Sequence, residues 1–293
     1  LSAMKLSDYV VECIANAGVR DVFMLPGGGA MHLNDSLGRS DRVRYICNLH
    51  EQACAIAAEA YAQYTNNIGV CMVTTGPGSV NTLTGIAAGW MDSTPMLIVS
   101  GQVKRVDLCH GKGIRQLGFQ EIDIVSMVKS ITKYAVTITD PSEVRYHMEK
   151  ALWLARNGRP GPSWVDIPLD VQAAEVDPSA QKGFSPNVAD TVGSIDADCL
   201  SQKVREVLML LAKSEKPVIL IGNGVRLANS ENAFLELASR LQVPVLTTWK
   251  ALDLLAQDDP LFIGRPGAIA QRAANLAQQR SDWFLMLGAR MDM

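Results

Sequence analysis

Short apolar runs rich in Val, Ile and Leu alternate with helical patterns along almost the whole chain. Several of these runs do not alternate with polar residues, which is typical of strands that helices cover on both faces. The alternation therefore predicts an α/β fold of doubly wound parallel sheets with right-handed crossovers. Strands are predicted at residues 19–24, 43–47, 69–74, 95–100, 163–167, 217–221, 244–247 and 283–287, and helices at 7–17, 51–64, 79–90, 143–156, 198–212, 230–241 and 268–279.

The length of 293 residues predicts two domains of ordinary size. A stretch rich in Pro, Gly, Ser and Asp interrupts the alternation at residues 176–197, and this composition predicts a linker. The sequence thus divides into a first domain at 1–175 and a second domain at 198–293. The second domain ends directly after a predicted strand, without a closing helix, so we expect it to be incomplete.

The composition excludes several classes of function. The net charge is −3, and the 27 Lys and Arg residues form no dense cluster, which disfavours a nucleic-acid partner or an anionic membrane surface. No apolar run reaches the roughly 18 residues of a membrane span. Six cysteines without a C-x-x-C spacing favour a reduced, cytoplasmic setting and no metal site in this chain.

The first candidate site is the glycine turn that follows the predicted strand at 19–24. Pro26 leads into Gly27, Gly28 and Gly29, and consecutive glycines at the carboxyl end of a parallel strand let a ligand approach the backbone closely. A tight turn that needs positive φ explains the same residues equally well.

Glu51 begins the Ala-rich helix at 51–64 and is the second candidate. The apolar helix face would favour a protonated carboxyl that exchanges its proton with a ligand nitrogen, whereas the helix N-terminus favours the anion. Without further context, a structural role in which the carboxylate complements the helix dipole is the better interpretation.

Two strand–turn–helix segments carry paired glycines. The first surrounds Pro77, and Asn81 stands where a dinucleotide-binding G-x-G-x-x-G would have its third glycine. The second begins at Gly222 and Gly224, and Leu227 takes the place of its third glycine. Each segment is therefore a weak signal for a nicotinamide nucleotide and a fair signal for the rim of a ligand site.

A long polar loop at 101–118 precedes Phe119 and Gln120, and loops of this length are usually functional or disordered. An apolar ring beside an uncharged amide suits the wall of a pocket. A segment that caps the following helix explains the same residues equally well.

Taken together and in this order, these segments resemble the thiamine-diphosphate-dependent enzymes, in particular the acetolactate (acetohydroxyacid) synthase branch. The resemblance covers the whole first domain and continues more loosely through the second. The residues that carry it are Pro26-Gly27-Gly28, His50-Glu51-Gln52, Ala58-Glu59-Ala60-Tyr61-Ala62, Thr75-Gly76-Pro77-Gly78 with Asn81, Met91-Asp92 with Pro95, Gly101-Gln102-Val103, Phe119-Gln120-Glu121, Gly158-Arg159-Pro160-Gly161-Pro162, Asp166-Ile167-Pro168 and Gly222-Asn223-Gly224.

The resemblance implies a carboligase that removes CO₂ from pyruvate or a related 2-keto acid and joins the remainder to a second carbonyl. It assigns Glu51 to the aminopyrimidine N1′ of thiamine diphosphate, where the contact favours the tautomer that removes the C2 proton. Gly28 and Gln120 would act near the substrate and the intermediates, and Phe119 would shape their pocket. The implied cofactor-binding residues are Pro26, Gly27, Glu51, Thr75, Pro77 and Asn81.

Two departures from the synthase pattern concern the acceptor and the flavin. Leu169 stands where synthases have Lys, and the residues at 264–267 replace a Met-His-Gly loop beside a structural flavin, so an acceptor such as a keto-sugar is favoured. Arg159 matches a flavin-contacting Arg, so FAD is a candidate cofactor, with Gly222 and Gly224 as further contacts. The alternatives are a 2-keto-acid decarboxylase, a non-catalytic subunit or fragment that keeps only the fold, and, more distantly, a nicotinamide dehydrogenase.

The family's third domain holds the diphosphate and Mg²⁺ through a Gly-Asp-Gly…Asn-Asn segment, which has no counterpart in this sequence. Because the family builds each active site from two chains, the resemblance implies a homodimer or homotetramer with the site at the subunit interface. We therefore expect this chain alone to bind the cofactor weakly and to be inactive.

Overall fold

Apolar runs joined by helical crossovers form parallel sheets in both halves of the chain. The computed structural model describes residues 3–109, 111–187 and 196–291, and the chain divides into two compact units, Leu1–Gly193 and Ser194–Met293. The strands of the first unit are β1 (Met4–Lys5), β2 (Asp21–Met24), β3 (Arg44–Cys47), β4 (Gly69–Val73), β5 (Met96–Gln102), β6 (Tyr134–Thr137), β7 (Pro162–Pro168) and β8 (Glu175–Val176).

Six of these strands form one sheet in the order β3-β2-β4-β5-β7-β6, and every neighbouring pair is parallel. Strands β1 and β8 form a separate antiparallel ribbon, which the apolar runs do not predict. The helices of this unit are α1 (Leu6–Asn16), α2 (Met31–Gly38), α3 (Glu51–Thr65), α4 (Pro77–Val80), α5 (Leu83–Met91), α6 (Ile124–Val128), α7 (Val144–Arg156) and α8 (Leu169–Gln172).

Side chains of the six-stranded sheet alternate between two cores, one on each face. On β7, Trp164 belongs to one core and Val165 to the other, and both are fully buried. Helices α1, α2 and α7 cover the face of Val165, and α3, α5 and α6 cover the face of Trp164. This two-sided burial explains why the central strands are apolar throughout.

The second unit repeats the architecture on a smaller scale. Its strands are β9 (Pro217–Ile221), β10 (Val245–Thr247), β11 (Phe262–Gly264) and β12 (Trp283–Leu287), and its helices are α9 (Ala197–Leu211), α10 (Gly224–Leu227), α11 (Glu231–Leu241) and α12 (Arg272–Arg280). The four strands are parallel in the order β11-β10-β9-β12. The predicted doubly wound α/β class is therefore confirmed in both units.

Some elements differ from the sequence-based expectation. The patterns do not predict α2, β6 or β11, and β6 is an edge strand of half-buried residues that lacks a continuous apolar run. The single helix predicted at 79–90 is two helices, α4 and α5. At their junction the Thr82 hydroxyl donates to the Ser79 carbonyl, and such side-chain bonds compete with the helical ladder.

The predicted linker at 176–197 is described only in part, since residues 188–195 lie outside the described residues. Its first residue belongs to β8, and the guanidinium of Arg145 donates to the carbonyls of Pro178 and Gln181. The beginning of this segment therefore packs on the first unit, and the domain bounds given above stay a prediction.

The start of β4 packs so closely on α3 that only glycine fits at residue 69. A Cβ on Gly69 would overlap the Ala58 carbonyl, so we expect Gly69→Ala to lower the free energy of unfolding by about 1–3 kcal/mol. Gly38→Ala is the matched control, because nothing lies within 4 Å of its added Cβ and Ala is favoured in helices by up to about 1 kcal/mol. Denaturant unfolding measures both variants, and equal stabilities would contradict this packing.

Candidate functional site

The candidate site lies at the carboxyl edge of the six-stranded sheet, between β2 and β4. The connection after β2 leads to β3 on one side, and the connection after β4 leads to β5 on the other. The two connections diverge and leave a crevice, which is where open α/β sheets bind ligands. The glycine turn follows β2 and the Pro77 segment follows β4, so both predicted segments border this crevice.

Two of the three glycines in the turn are required by close packing on the end of β4. A Cβ on Gly27 would lie 2.6 Å from the Thr74 side chain, and one on Gly29 would lie 2.8 Å from Thr75. The Gly29 N–H also donates to the Thr74 hydroxyl at 3.0 Å. Gly28, in contrast, has nothing within 4 Å of an added Cβ, so its position faces open space.

Two side-chain amides that the sequence patterns do not single out hold this turn from behind. Asn34 of α2 donates to the Gly27 carbonyl at 3.2 Å, and Gln172 of α8 donates to the Gly29 carbonyl at 2.7 Å. Pro26 lies exposed directly before the turn. The carbonyls on both sides of Gly28 are therefore fixed before any ligand arrives.

Glu51 is the first residue of α3, at the carboxyl end of β3. Its carboxylate accepts a hydrogen bond from the side-chain amide of Asn81, which lies 3.0 Å from Oε2. A Cβ on Gly78 would lie 3.2 Å from Glu51 Oε1, so the glycine leaves room beside the carboxyl. The fold thus brings together Glu51 and Asn81, which are 30 residues apart in the sequence.

Gly76 and Gln120 meet in a backbone contact that joins the end of β4 to the long polar loop. A Cβ on Gly76 would overlap the Gln120 carbonyl oxygen, so only glycine fits there. Both residues have positive φ, +63° at Gly76 and +61° at Gln120. A non-glycine residue in this conformation costs of order 1 kcal/mol or more, and such strain clusters at functional sites.

A cleft of about 600 Å³ opens beside this contact. The predicted residues Pro77, Asn81, Phe119 and Gln120 all line it, and Phe119 is 85% exposed. Val80 and Glu121 also line it, and both belong to the candidate segments without having been assigned a role. The remaining lining residues that the sequence patterns do not single out are Gln116 and Ile122.

Glu121 stabilises the loop that forms one wall of the cleft. Its carboxylate accepts the N–H groups of Cys109 at 2.5 Å, Leu117 at 3.0 Å and Gly118 at 3.3 Å. Burial disfavours the charge, but these donors outweigh it, so the pKa of Glu121 lies below its usual value. The carboxylate is therefore ionised at neutral pH and serves the loop as an acceptor.

Beneath the cleft, Asp166 of β7 is buried among polar side chains. Its carboxylate accepts hydrogen bonds from the Ser100 hydroxyl at 2.6 Å, the Thr137 hydroxyl at 3.0 Å and the Gln102 amide at 3.2 Å. Burial raises the pKa of Asp166 to about 7, the three donors oppose that rise, and the nearby Asp123 carboxylate adds to it. The sequence placed Asp166 in the resemblance without assigning it a role.

Thr75 and Arg159, two further predicted residues, lie in contrasting places. Thr75 is buried, and its hydroxyl donates to Gln102 Oε1 at 2.6 Å beneath the cleft. Arg159 precedes β7 at the amino edge of the sheet, where it donates to the Ser93 hydroxyl at 2.7 Å. The structure therefore does not bring Arg159 to the cleft.

Gly222 and Gly224 lie in the second unit, at the carboxyl end of β9. This strand lies between β10 and β12 in the sheet. A Cβ on Gly224 would lie 2.7 Å from the Cα of Gly288, which follows β12. The two glycines therefore allow the backbones after β9 and β12 to touch.

The described residues contain no candidate metal centre and no candidate membrane-spanning helix. Within 3–109, 111–187 and 196–291, no group of three or more His, Cys, Asp or Glu side chains is placed to hold a metal ion. In the same part of the chain, no helix combines the length and the apolar composition that crossing a bilayer requires.

Comparison with known proteins places the cleft within a family. Residues 4–127 match the thiamine pyrophosphate enzyme N-terminal TPP binding domain, and residues 204–293 match the central domain of the same enzymes. The chain belongs to the thiamine pyrophosphate enzymes. The first match includes Glu51, Asn81 and Gln120, so the cleft lies within the TPP binding domain of this family.

The relatives of this chain include acetolactate synthases. The chain is 34% identical over 290 residues to the acetolactate synthase large subunit of Lactococcus lactis, a match that covers 98% of this chain and 48% of that protein. It is 36% identical over 287 residues to the large subunit of Corynebacterium glutamicum, covering 97% and 44%. It is 35% identical over 292 residues to chloroplastic acetolactate synthase 1 of Zea mays, covering 98% and 44%. The chain thus spans about half the length of these curated relatives.

Gly76 at the cleft and Gly28 in the glycine turn should respond differently to substitution by alanine. We expect Gly76→Ala to lower the free energy of unfolding by about 1–3 kcal/mol, because its Cβ would overlap Gln120 in a positive-φ conformation. Gly28→Ala should change stability by less than about 0.5 kcal/mol, since its Cβ meets open space. Denaturant unfolding measures both, and a stable Gly76→Ala variant would contradict the contact.

The buried Asp166 should make stability depend on pH. Its pKa is about 7 in the folded chain and 3.8 as the ordinary value, so between these values the folded state holds a proton that the unfolded state has lost. Stability from this group is complete below about pH 4 and falls by about 1.4 kcal/mol per unit as pH rises to 7. Asp166→Asn should remove this slope, and a variant-minus-wild-type difference that stays constant between pH 4.5 and 8 would contradict it.

Proposed function

We propose that this chain forms the pyrimidine-binding part of a thiamine-diphosphate-dependent carboligase similar to acetolactate synthase. The reaction removes CO₂ from pyruvate or a related 2-keto acid and transfers the acyl group to a second carbonyl. The observation that carries the proposal is the Glu51 carboxylate, held by Asn81 next to an apolar cleft in the TPP binding domain. The identities of the relatives support the reaction class.

The residues around Glu51 fit an aminopyrimidine ring. Such a ring needs an acid or carboxylate at one nitrogen and apolar surface against its face, and Pro77 and Val80 offer that surface on the cleft wall. Asn81 holds Oε2 of Glu51, and Gly78 leaves room beside Oε1. A flat heteroaromatic group can therefore lie against α4 with a nitrogen facing the Glu51 carboxyl.

Thiamine diphosphate, when bound, supplies a carbon nucleophile and an electron sink for the electrons released with CO₂. Glu51 would hold the proton that it shares with the pyrimidine N1′, and the amide of Asn81 would fix the orientation of the carboxyl. Gln120 would hydrogen-bond the substrate, while Phe119 excludes water from that wall of the cleft. Gly28 would leave space for the substrate, because no side chain occupies its position.

We propose that the diphosphate and Mg²⁺ are held by residues other than those described here. This follows the family resemblance, and the described residues offer no group of carboxylate, His or Cys side chains for a metal ion. The residues of this chain that contact the cofactor would then be Pro26, Gly27, Glu51, Thr75, Pro77 and Asn81. Weak cofactor binding by this chain alone stays a prediction that calorimetry can measure.

We further propose FAD as a second cofactor, with Gly222 and Gly224 facing the dinucleotide. Their position at the carboxyl end of a central parallel strand supports this, since open α/β sheets bind ligands at that end. Residues 264–267 stand in place of the family's flavin-side loop, and Asn275 of α12 bonds both the N–H and the carbonyl of Gly267. Quenching of flavin fluorescence on titration with the chain tests this proposal, and loss of quenching in Arg159→Ala would implicate Arg159.

We propose a homodimer or homotetramer with its active sites at subunit interfaces. The strand β3, which leads toward Glu51, is an exposed sheet edge, and Tyr45 on it is 54% exposed while Leu49 after it is fully exposed. Unpaired edges with apolar side chains are usually covered by another chain. A holoenzyme that sediments as a monomer would contradict this.

We propose a cytoplasmic setting as well. The six cysteines form no disulfide with one another, which is typical of proteins in a reducing compartment.

The role of Glu51 has a direct test in the holoenzyme. We expect Glu51→Gln to slow deuterium exchange at the cofactor C2 and turnover by about 10²–10⁴-fold, because the amide cannot give or take the proton at N1′. Glu236→Gln is the control, since Glu236 lies exposed in the second unit and pairs with Arg240. NMR of the exchange and a pyruvate turnover assay measure both, and near-normal activity of Glu51→Gln would overturn the assignment.

A 2-keto-acid decarboxylase is the second candidate, and acyl transfer to a keto-sugar is a variant of the first that Leu169 favours. Leu169 begins α8 at the carboxyl end of β7, where synthases of the family have Lys. Product analysis with pyruvate discriminates the candidates: a coupled product indicates a carboligase, and free aldehyde indicates a decarboxylase. A product that joins the pyruvate-derived acyl group to an added keto-sugar would identify that acceptor. No product at all would favour a non-catalytic subunit.

A further inference from the structure

The amide of Gln102 uses all of its hydrogen-bonding positions beneath the cleft. Its nitrogen donates to Asp166 Oδ2 at 3.2 Å and to the Ile122 carbonyl at 3.0 Å. Its oxygen accepts the Thr75 hydroxyl at 2.6 Å and the Val103 N–H at 3.0 Å. Because the Val103 N–H can only donate and the Ile122 carbonyl can only accept, a rotated amide would lose at least these two bonds.

Two of these four partners belong to opposite walls of the cleft. Thr75 precedes Gly76, and Ile122 follows the turn that carries Gln120. Gly76 and Gln120 are the two residues whose backbones touch across the cleft floor. Gln102 therefore links both sides of that contact to the sheet, through Thr75 on one side and Ile122 on the other.

Asp166 anchors the nitrogen of this amide to β7, while the Ile122 carbonyl and the Val103 N–H fix which end of the amide is which. The other partners of Asp166 are the hydroxyls of Ser100 on β5 and Thr137 on β6, neither of which lines the cleft. Burial makes an unpaired carboxylate oxygen or amide here costly, so the arrangement is strongly specified.

We propose that Asp166 is a positioning residue for the cleft, which orients Gln102 and thereby sets the distance between the Thr75–Gly76 segment and the turn at 118–122. The nature of the ligand in the cleft rests on the proposed function, whereas the positioning itself does not. Asp166 acts only through the amide of Gln102, since it does not itself line the cleft.

The test uses this chain without cofactor, so its outcome is independent of the proposed reaction. Amide hydrogen exchange of the peptide segment at 118–122 is compared with that of β5, whose backbone bonds do not depend on the amide. We expect Asp166→Ala and Gln102→Leu each to raise exchange at 118–122 by about tenfold through local opening, with β5 unchanged. If Asp166→Ala does not fold, Gln102→Leu still allows the test, because it removes the amide and leaves Asp166 in place.

Two matched variants separate positioning from general loss of packing. Asp166→Asn keeps an acceptor for Gln102 and can donate to Ser100, so exchange at 118–122 should stay within about twofold of the wild type. Thr137→Val removes another partner of Asp166, one that does not line the cleft, and exchange at 118–122 should again stay within about twofold of the wild type. Unchanged exchange in Gln102→Leu, an equal rise in Thr137→Val, or no recovery in Asp166→Asn would each overturn the proposal.

Discussion

The backbone contact between Gly76 and Gln120 decides the shape of the candidate site, because it joins two segments that the sheet alone would leave apart. Gly76 ends the connection after β4, and Gln120 closes a long polar loop after β5. The contact is possible only because Gly76 lacks a Cβ and Gln120 accepts a positive φ. Glu121 offsets this strain by accepting the N–H groups of Leu117 and Gly118 next to the turn and that of Cys109 earlier in the loop.

The architecture and the rim of the site are predictable from the sequence, since both depend on local patterns. Apolar runs identify the buried strands, and glycines directly after them identify the turns that border the crevice. The pairing of Glu51 with Asn81 is not predictable in this way, because it depends on β2 lying between β3 and β4. Strand order is a property of the whole sheet, and no local pattern of residues records it.

Two further parts of the structure escape sequence patterns for different reasons. The edge strand β6 is half-buried, so it lacks the apolar run that marks the central strands. The role of Asp166 depends on neighbours from β5 and β6, which come close only after the sheet has formed. Arg159, in contrast, is a predicted site residue that the structure places elsewhere. It lies in a segment typical of the family and yet occupies the sheet edge opposite to the cleft.

The pKa values of Glu121 and Asp166 shift in opposite directions, although burial acts in the same direction on both. The difference comes from the hydrogen-bond donors around each carboxyl. Backbone N–H groups point at Glu121 and favour its anion, so its pKa falls despite burial. Asp166 receives two hydroxyl donors and one amide, which do not offset complete burial, so its pKa rises to about 7.

The carboxyl ends of the two sheets also differ in what they can admit. In the first unit, Thr74 and Thr75 fill the space under Gly27 and Gly29, and the position of Gly28 stays open, so a ligand can enter between the connections. In the second unit, the backbone at Gly224 packs directly on Gly288, so the space between the ends of β9 and β12 is closed. The glycines after β9 are therefore explained by close packing alone, whereas Gly28 in the first unit is not.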